Sequence, residues 1–596
     1  MKRPNWFAPS VRVSWRENLW QTLTIATFLG LLSGLGEGLS DLAIKHYHAP
    51  PILCVTLLAD LPFFLVLGLA LWSLCRAFRR NLDPAVALFV LLWLLLYYVS
   101  PSGLVDRHFL IIGTGAIAMV ATLFELGRRG KAIQAMRRGL PWLAGVALVC
   151  LVAVPISDAR AERRALDSLP AISRGAPNVV LVIIDTLRAD HLSIYGYNRP
   201  TSPQIDRLAR QGVLFDDAIA AASWTLPSHA SMMTGTYPHI HHVDTFNGRL
   251  PTNLPTLASE LESDGYRTAA FSANIFFFNR QRGFGRGFTH FGDFFQSPAE
   301  ALYQVRYVAA IDRFLLKHHW AHDFLGRQTA ADINRAALHW IDDGHRPFFL
   351  ALNYLDVHDP YLPPQPWRHR FSPRQDPGGR IDTAINLFPH LTPAQLQDEM
   401  NAYDGGIAYA DHQLGLLVAE LERRGLLENT LLVVTSDHGE AFGEHGLISH
   451  ANALYFPLIH VPLLFRWPGH IPAGTRVSRP VSTKDIGETI LSLLHPRPDN
   501  FPGESLAALW TGQAAPDSWP LPISELAKLK TPPLFPDHFG PLSSVVAPEM
   551  QYIVDPRRGV LLYDWKTDSM EAHNLYPDPR YKAIAATLAA DLKKSD

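Results

Sequence analysis

Hydrophobic and polar positions divide this chain into two unlike halves. Before about residue 157 the pattern is a succession of apolar runs, roughly 19–44, 51–74, 83–100, 108–126 and 139–157, separated by short polar connections. Most reach the about 17–25 residues needed to cross a bilayer, with the third and fifth near the lower limit. Buried core helices are the alternative, but five such runs in succession show no polar face between them. Residues 158–175, with several charges and a proline, read as a linker.

Beyond it the period changes. Asn178–Ile184 is a continuous apolar run, the signature of a strand buried on both faces. Helical patterns over Pro203–Gly212, Pro227–Thr234, Leu254–Gly265, Ala330–Gly344, Asn401–Arg424 and Lys484–Leu494 alternate with strand patterns at Thr268–Ser272, Pro347–Leu352, Thr430–Thr435 and Val461–Arg466. Such alternation predicts an α/β fold with a mostly parallel central sheet, in which ligands bind beyond the carboxyl ends of the strands. The organisation expected is a five-helix transmembrane domain (1–157), a linker (158–175) and an outer domain (176–596) with a C-terminal subdomain from about residue 500.

Composition sharpens this picture. Charged residues make up only 18%, against about 25% in soluble domains. The net charge of −2 gives no basic field for nucleic acid. The three cysteines, Cys54, Cys75 and Cys150, all lie in the apolar half, so the outer domain has neither a disulfide nor a cysteine nucleophile. Basic residues are dense in the N-terminal tail (Lys2, Arg3, Arg12, Arg16), sparse in the first connection (Lys45), dense in the second (Arg76, Arg79, Arg80), sparse in the third (Arg107) and dense in the fourth (Arg128, Arg129, Lys131, Arg137, Arg138). The positive-inside rule then puts the N-terminus in the cytoplasm and everything after residue 157 outside an inner, plasma-type membrane. Within the spans, Gly30, Gly34 and Gly38 have the spacing of close helix packing, and Glu37 and Asp60 are intramembrane carboxylates of the kind that mark function or hydrogen-bond between helices.

Candidate chemistry gathers at the predicted strand ends. Asp185 follows the first strand, and Asp437 and His438 follow Thr430–Thr435. Two carboxylates and an imidazole at neighbouring strand ends suit one divalent metal, although a lone Asp there is often only a helix cap. Thr225 precedes Pro227 at a helix start. It is either an N-cap or a nucleophile held by the metal and the helix end.

The segments PNVVLVIIDTLRADHLSIYGYN (from Pro177), TLPSHASMMTG, LNYLDVHDPYLPP, YDGGIAYADHQLGLL, VVTSDHGEAFGEHG and LYDWKTDSMEAHNL together resemble the sulfatase branch of the alkaline phosphatase superfamily, in that family's order, over about 175–596. The resemblance implies that Asp185, Asp437 and His438, with Thr225, hold the metal, and that Thr225 stands at the nucleophile position. It implies that His358 and His450 meet the substrate and its leaving group, one of them protonating the leaving alkoxide, and that His229 contacts the substrate.

The departures from the family carry as much information. Sulfatases oxidise a Cys or Ser to formylglycine, and the secondary alcohol of Thr225 would give a ketone. His229 stands where those enzymes have arginine. Thr at this place resembles instead lipoteichoic acid synthases and the phosphoglycerol and phosphoethanolamine transferases, which are membrane-anchored and pass a phospho-headgroup through a phosphothreonine. The implied function is a metal-dependent hydrolase or transferase acting on phosphodiesters or phospholipid headgroups at the bilayer. A sulfuric ester hydrolase and a non-catalytic membrane lipid sensor are the alternatives.

Thr186 replaces a second Asp of the metal site, and His438 stands where some relatives have Asn. That exchange favours Zn²⁺ or Mn²⁺ over Ca²⁺ or Mg²⁺. Asp356, His358 and His450 form a candidate second metal site, or else bind substrate by hydrogen bonds. His241, His242 and His445 read as structural or as supports of the site residues, and Arg280, Arg282 and Arg286 as a solvated loop, with a phosphate grip as the alternative.

Overall fold

The computed structural model describes residues 14–44, 52–77, 84–99, 114–122, 131–173, 175–293, 305–317, 323, 326–372, 378–381, 391–494, 501–513 and 519–594. The chain divides into two compact units, one formed by residues 1–163 with 297–315, the other by residues 164–296 with 316–596.

The first unit is helical. Helices Trp15–Ile44, Ile52–Ala77, Pro84–Val99 and Lys131–Ser168, and a helical stretch over 114–122, fall on the five expected apolar runs. Three segments, Trp15–Leu39, Leu53–Ala77 and Lys131–Ser168, are long and apolar enough to cross a membrane, while Pro84–Leu96 is shorter. The fourth run, 108–126, lies partly outside the described residues.

The glycine spacing has a direct consequence here. A Cβ at Gly34 would come within 2.7 Å of Leu57 Cα, and one at Gly38 within 2.8 Å of the Leu53 side chain. The first two helices therefore touch backbone to backbone, and Thr56 Oγ1 donates to the Gly34 carbonyl across that seam (2.7 Å). Glu37 and Asp60 are buried within this unit. The excursion 297–315 also belongs to it. Val305 and Tyr307 pack against Ala59, Val55 and Phe63, the Tyr307 ring stacks on Phe63 at 3.8 Å, and its hydroxyl donates to the Ala59 carbonyl.

One expectation is corrected at the end of this region. The segment read as a linker from residue 158 is helical as far as Ser168, continuous with the last apolar helix. Its Ala, Arg, Glu and Leu residues are strong helix formers, and they extend the helix without needing an apolar stripe. Among the described residues that follow, 169–173 and 175–177 are non-helical.

The second unit is built on a sheet of nine strands among the described residues. Their order is Thr475–Val477, Val213–Ile219, His460–Arg466, Thr430–Thr435, Asn178–Ile184, Phe348–Tyr354, Arg267–Ser272 and His290–Gly292, with Val481–Ser482 also pairing to Val213–Ile219. Pairing is parallel except around His460–Arg466, which runs antiparallel to both its neighbours. The central strand Asn178–Ile184 is buried at every position, as a strand covered on both faces must be. Its register sets Ile183 beside Thr435 and Ile184 beside Tyr354, so three parallel strands end level with one another. A second, antiparallel sheet of four strands (Ile523–Leu526, Leu542–Val546, Met550–Asp555, Gly559–Asp564) forms in the C-terminal part, where a subdomain was expected.

Candidate active site

Level strand ends put the chemistry in one place. The chain leaves Asn178–Ile184 at Asp185, leaves Thr430–Thr435 at Ser436, Asp437 and His438, and leaves Phe348–Tyr354 into the 355–359 loop. The loops are tied to one another. The Asp185 N–H donates to the Tyr354 carbonyl (2.9 Å), the Leu187 N–H to Ser436 Oγ (2.9 Å) and the Thr186 N–H to Asp437 Oδ1 (3.3 Å). Gly439 is obligatory in this arrangement, because a Cβ there would lie 2.0 Å from the Pro457 carbonyl oxygen.

Thr225 comes from a separate element, the helix Thr225–Thr234, of which it is the first residue rather than the cap. Trp224 occupies the cap position and no side chain caps the helix there. The Thr225 hydroxyl is thereby left for the site. Its Oγ1 lies 3.3 Å from His438 Nε2 and accepts from Asn274 Nδ2 at 3.3 Å. Ser228 on the same helix donates its hydroxyl to the Asp437 carbonyl, docking the helix against the ligand loop.

The donor set fits a cation on its own chemistry. His438 Nδ1 faces the Gly439 carbonyl at 2.9 Å and must donate to it, which leaves a lone pair on Nε2. That lone pair faces Asp437 Oδ2 at 3.4 Å and Asp185 Oδ1 at 3.6 Å. Both oxygens are buried and accept no hydrogen bond of normal geometry. Three acceptors converging out of water repel one another unless a positive charge sits among them. Asp185, Asp437 and His438 accordingly form a cluster that could hold a metal ion, with Thr225 Oγ1 beside it. Thr186, whose hydroxyl is also buried without a partner, adopts a left-handed φ of 61° at the head of the same loop, a strained conformation for a β-branched residue of the kind that gathers at functional sites. Burial alone would raise the Asp437 carboxyl, but the His229 imidazole and the Thr186 N–H hold it well below the usual carboxylate range.

The remaining predicted residues separate. His450 packs on His438 with ring centroids 4.6 Å apart, and on His358 at 4.8 Å. His450 Nδ1 is held by the buried carboxylate of Glu440 (3.1 Å), and burial pushes Glu440 up to about 7. His229 is placed elsewhere than the substrate contact expected of it. It is fully buried, with Nδ1 at 3.0 Å from the Thr225 carbonyl and 3.3 Å from Asp437 Oδ2. Asp356 leaves the predicted second cluster: its Oδ2 accepts the Ala330 N–H at the start of helix Ala330–Asp342 (2.8 Å), and burial pushes its carboxyl up to about 7. Asp359 takes its place beside His358 and His450.

His241 and His445 are structural as read: His241 bonds Ser231 and the Val243 N–H, and His445 stacks on Tyr455 at 3.6 Å. Arg280, Arg282 and Arg286 each donate to backbone carbonyls of neighbouring segments, binding those loops together instead of standing free in solvent. Sequence reasoning missed Asn274 and Asn353. Asn274 Nδ2 donates to Asp185 Oδ2 (2.8 Å) as well as to Thr225, and Asn353 Nδ2 donates to the same carboxylate oxygen at 3.3 Å. Both follow or end apolar strands, as Asp185 does, and that shared position was the available signal.

Comparison with known proteins agrees with this architecture. The sulfatase family profile matches residues 177–496, and a profile described as N-sulphoglucosamine sulphohydrolase, C-terminal, matches residues 443–596. The ulvan-active sulfatase of Formosa agariphila is 24% identical over 444 residues, covering 70% of this chain and 80% of that protein. The choline-sulfatase of Rhizobium meliloti is 24% identical over 465 residues, covering 70% and 86%. Among solved structures, the phosphonate monoester hydrolase of Agrobacterium radiobacter shares the fold with a TM-score of 0.56 at 22% identity, covering 70% of this chain and 95% of that one. With its mixed, mostly parallel alkaline-phosphatase-like sheet and a cluster of metal-ligand type at the strand ends, the chain belongs to the sulfatase family of hydrolases.

Proposed function

We propose that this protein is a membrane-anchored, metal-dependent esterase of phosphodiesters or phospholipid headgroups, with Thr225 as its nucleophile. The observation that carries the reading is the environment of Thr225 Oγ1: freed from capping at a helix N-terminus, 3.3 Å from His438 Nε2 and 3.3 Å from Asn274 Nδ2. A secondary alcohol cannot become formylglycine, so the covalent route open to it is direct attack.

A divalent ion among Asp185, Asp437 and His438 would supply charge neutralisation for the anionic ester and for the threonine oxygen. The chain's own groups do the rest. Asn274 orients Oγ1 and Asp185 together, and Ser228 holds the helix against Asp437. Attack forms an Oγ–P bond and breaks the P–O bond to the leaving alcohol, on which the proton lost by the hydroxyl ends. Water, or an acceptor alcohol, then attacks phosphorus and breaks the Oγ–P bond, restoring Thr225. His358 and His450, packed on one another beside His438, would meet the leaving oxygen.

The long apolar helices support a bilayer anchor. The alternation of basic connections supports placing the catalytic unit on the outer side, with lipid headgroups within its reach.

Sulfate-ester hydrolysis is a second reading, favoured by the names of the relatives. Full-length protein in detergent, assayed with aryl phosphodiester, phosphonate and sulfate esters, is expected to prefer the phosphorus substrates and to carry a phosphoryl adduct on Thr225 by mass spectrometry. Faster turnover of the sulfate ester with an unmodified Thr225 would favour the second reading instead.

A further inference from the structure

We infer that the helix Arg306–Lys317 docks on the lipid bilayer, lying along the headgroup boundary of the leaflet in which the helix Ile52–Ala77 begins. The inference rests on the bilayer anchor of the proposed function and is independent of Thr225 and of the ester it attacks.

The first turn of this helix is seated on a helix of membrane-spanning type. Val305 and Tyr307 are buried against Val55, Ala59 and Phe63. The Tyr307 ring stacks on Phe63 with centroids 3.8 Å apart, and its hydroxyl donates to the Ala59 carbonyl. The candidate span Leu53–Ala77 has 25 residues. At 1.5 Å per residue it is about 37 Å long, against a hydrocarbon core of about 30 Å. By the same rise Ala59 stands about 9 Å from the start of the span, so a centred span sets the Tyr307 hydroxyl about 5 Å inside the hydrocarbon boundary. That is the depth at which interfacial helices bury their apolar face and at which tyrosine is enriched.

Two observations agree on which end of the span this is. Arg76 in the last turn of Ile52–Ala77, with Arg79 and Arg80 after it, marks the other end as the cytoplasmic one. Val305 and Tyr307 follow all five apolar runs in the sequence, and they pack at the end opposite those arginines.

Helical spacing carries the contact beyond the span. Tyr307, Ile311 and Phe314 recur at i, i+4 and i+7, one face of an α-helix, with Val308 and Leu315 beside them. Ile52–Ala77 covers that face only in its first turn: Tyr307 is buried, whereas Ile311 is 48% and Phe314 51% exposed. On the span itself Leu58, the neighbour of Ala59, is 61% exposed. One apolar stripe thus starts against a spanning helix and continues, exposed, past it. What surrounds a spanning helix beyond its protein neighbours is lipid, and the stripe meets it there. Arg306, Arg313 and Lys317 fall outside the stripe in the helical repeat, the composition of a helix that lies in the plane of the interface.

Lipid quenching tests the inference on the full chain. In a background with Cys54, Cys75 and Cys150 replaced by serine, Ile311→Cys, Phe314→Cys and the reference Val66→Cys, which is exposed in mid-span, are each labelled with a fluorophore. The proteins are reconstituted in vesicles of phosphatidylethanolamine and phosphatidylglycerol that carry nitroxide lipids. Labels at positions 311 and 314 are expected to lose more fluorescence to a nitroxide near the headgroup than to one near the chain end, and the label at position 66 the reverse. Loss at 66 with none at 311 and 314 would overturn the docking and leave the anchor standing. No loss at any of the three would overturn the anchor, and the docking with it. A disulfide between two copies through position 314, without quenching, would assign the strip to a second copy of the chain and also overturn the proposal. Unaltered protein gives a check that needs no variant. A photoreactive lipid with its reactive group near the headgroup should leave adducts on peptides from 305–317 by mass spectrometry, and adducts on 53–77 with none on 305–317 would reject the docking.

Discussion

His438 Nε2 and Thr225 Oγ1 stand 3.3 Å apart, and the other nitrogen of that imidazole is committed to the Gly439 carbonyl. The hydroxyl therefore faces a lone pair. Without a cation it can only donate its proton to the ring, and with one it can turn its own lone pair to the metal. Either way its oxygen is held in place by a residue 213 positions away in sequence, and the helix start contributes orientation without requiring the side chain as a cap.

Because Thr225 caps nothing, its loss should separate chemistry from stability. Thr225→Ala is expected to abolish ester turnover, by several orders of magnitude as for other nucleophile deletions, while shifting Tm little. A true cap would instead cost about 0.5–2 kcal/mol and leave turnover largely intact. Thr225→Ser should retain measurable activity. Equal turnover by Thr225→Ala and wild type would remove the covalent mechanism.

The convergence of acceptors predicts an unusual response to metal removal. Adding Zn²⁺ or Mn²⁺ to stripped wild type should raise Tm by several degrees, since an ion bound only to the folded state stabilises it. In the stripped protein, Asp185→Asn should melt no lower than wild type, because an amide relieves the repulsion that the missing cation leaves behind. Metal titrations followed by thermal melts distinguish this from an ordinary destabilising core substitution, which would lower Tm in both conditions.

Asn274 is expected to act through Thr225 and Asp185. Asn274→Ala removes a donor shared by both and should lower metal affinity or kcat by roughly 10–100-fold, the range seen for partners of metal ligands. Asn274→Asp should also lower kcat while holding the cation at least as tightly, since it replaces the shared donor by a third carboxylate. Unchanged metal affinity and kcat in both variants would show that the two contacts are incidental.

A pH effect should come from outside the site. Burial pushes His241 down to about 3, and its ring is fixed as the neutral form by the Val243 N–H donating to Nδ1. The unfolded chain takes up a proton near pH 6.5 that the folded chain refuses. Stability from this residue is therefore complete above pH 6.5 and is lost as pH falls toward 3, at up to about 1.4 kcal/mol per pH unit. His241→Gln should flatten that part of the Tm–pH curve relative to wild type. Parallel curves would reject the assignment.

The sequence and the structure agree most closely where burial dictates pattern. Thr430–Thr435 and Asn178–Ile184 were readable as apolar runs because both faces of a central strand are covered. The residues that follow them were readable because ligands gather at strand ends. What escaped depended on turns and on polar helix surface. In the segment Asp356–Val357–His358–Asp359 the two carboxylates are equally plausible partners for His358, and only the turn after Tyr354 decides, sending Asp356 to the start of Ala330–Asp342 and Asp359 to the imidazoles. The helix Pro393–Arg423 begins eight residues before the apolar stripe first shows at Asn401, although a capping box of Thr392 and Gln395, with Pro393 at the first helical position, marks its start. His229 was placed toward substrate by analogy of position, whereas one helical turn from Thr225 its ring reaches back to the Thr225 carbonyl and to Asp437.

The excursion that carries Val305 and Tyr307 has a practical corollary for anyone shortening this protein. A soluble fragment starting near Leu169 would keep residues 305–308 but discard Val55, Ala59 and Phe63, against which they pack. The aromatic and aliphatic faces that those residues cover would then be bare to water, joining Ile311 and Phe314, which are already exposed on the helix Arg306–Lys317. Such a fragment would self-associate through this sticky strip even with its catalytic cleft correctly formed. Excising the strip as well, or replacing Tyr307 and Val308 with polar residues, would be required for it to remain monodisperse.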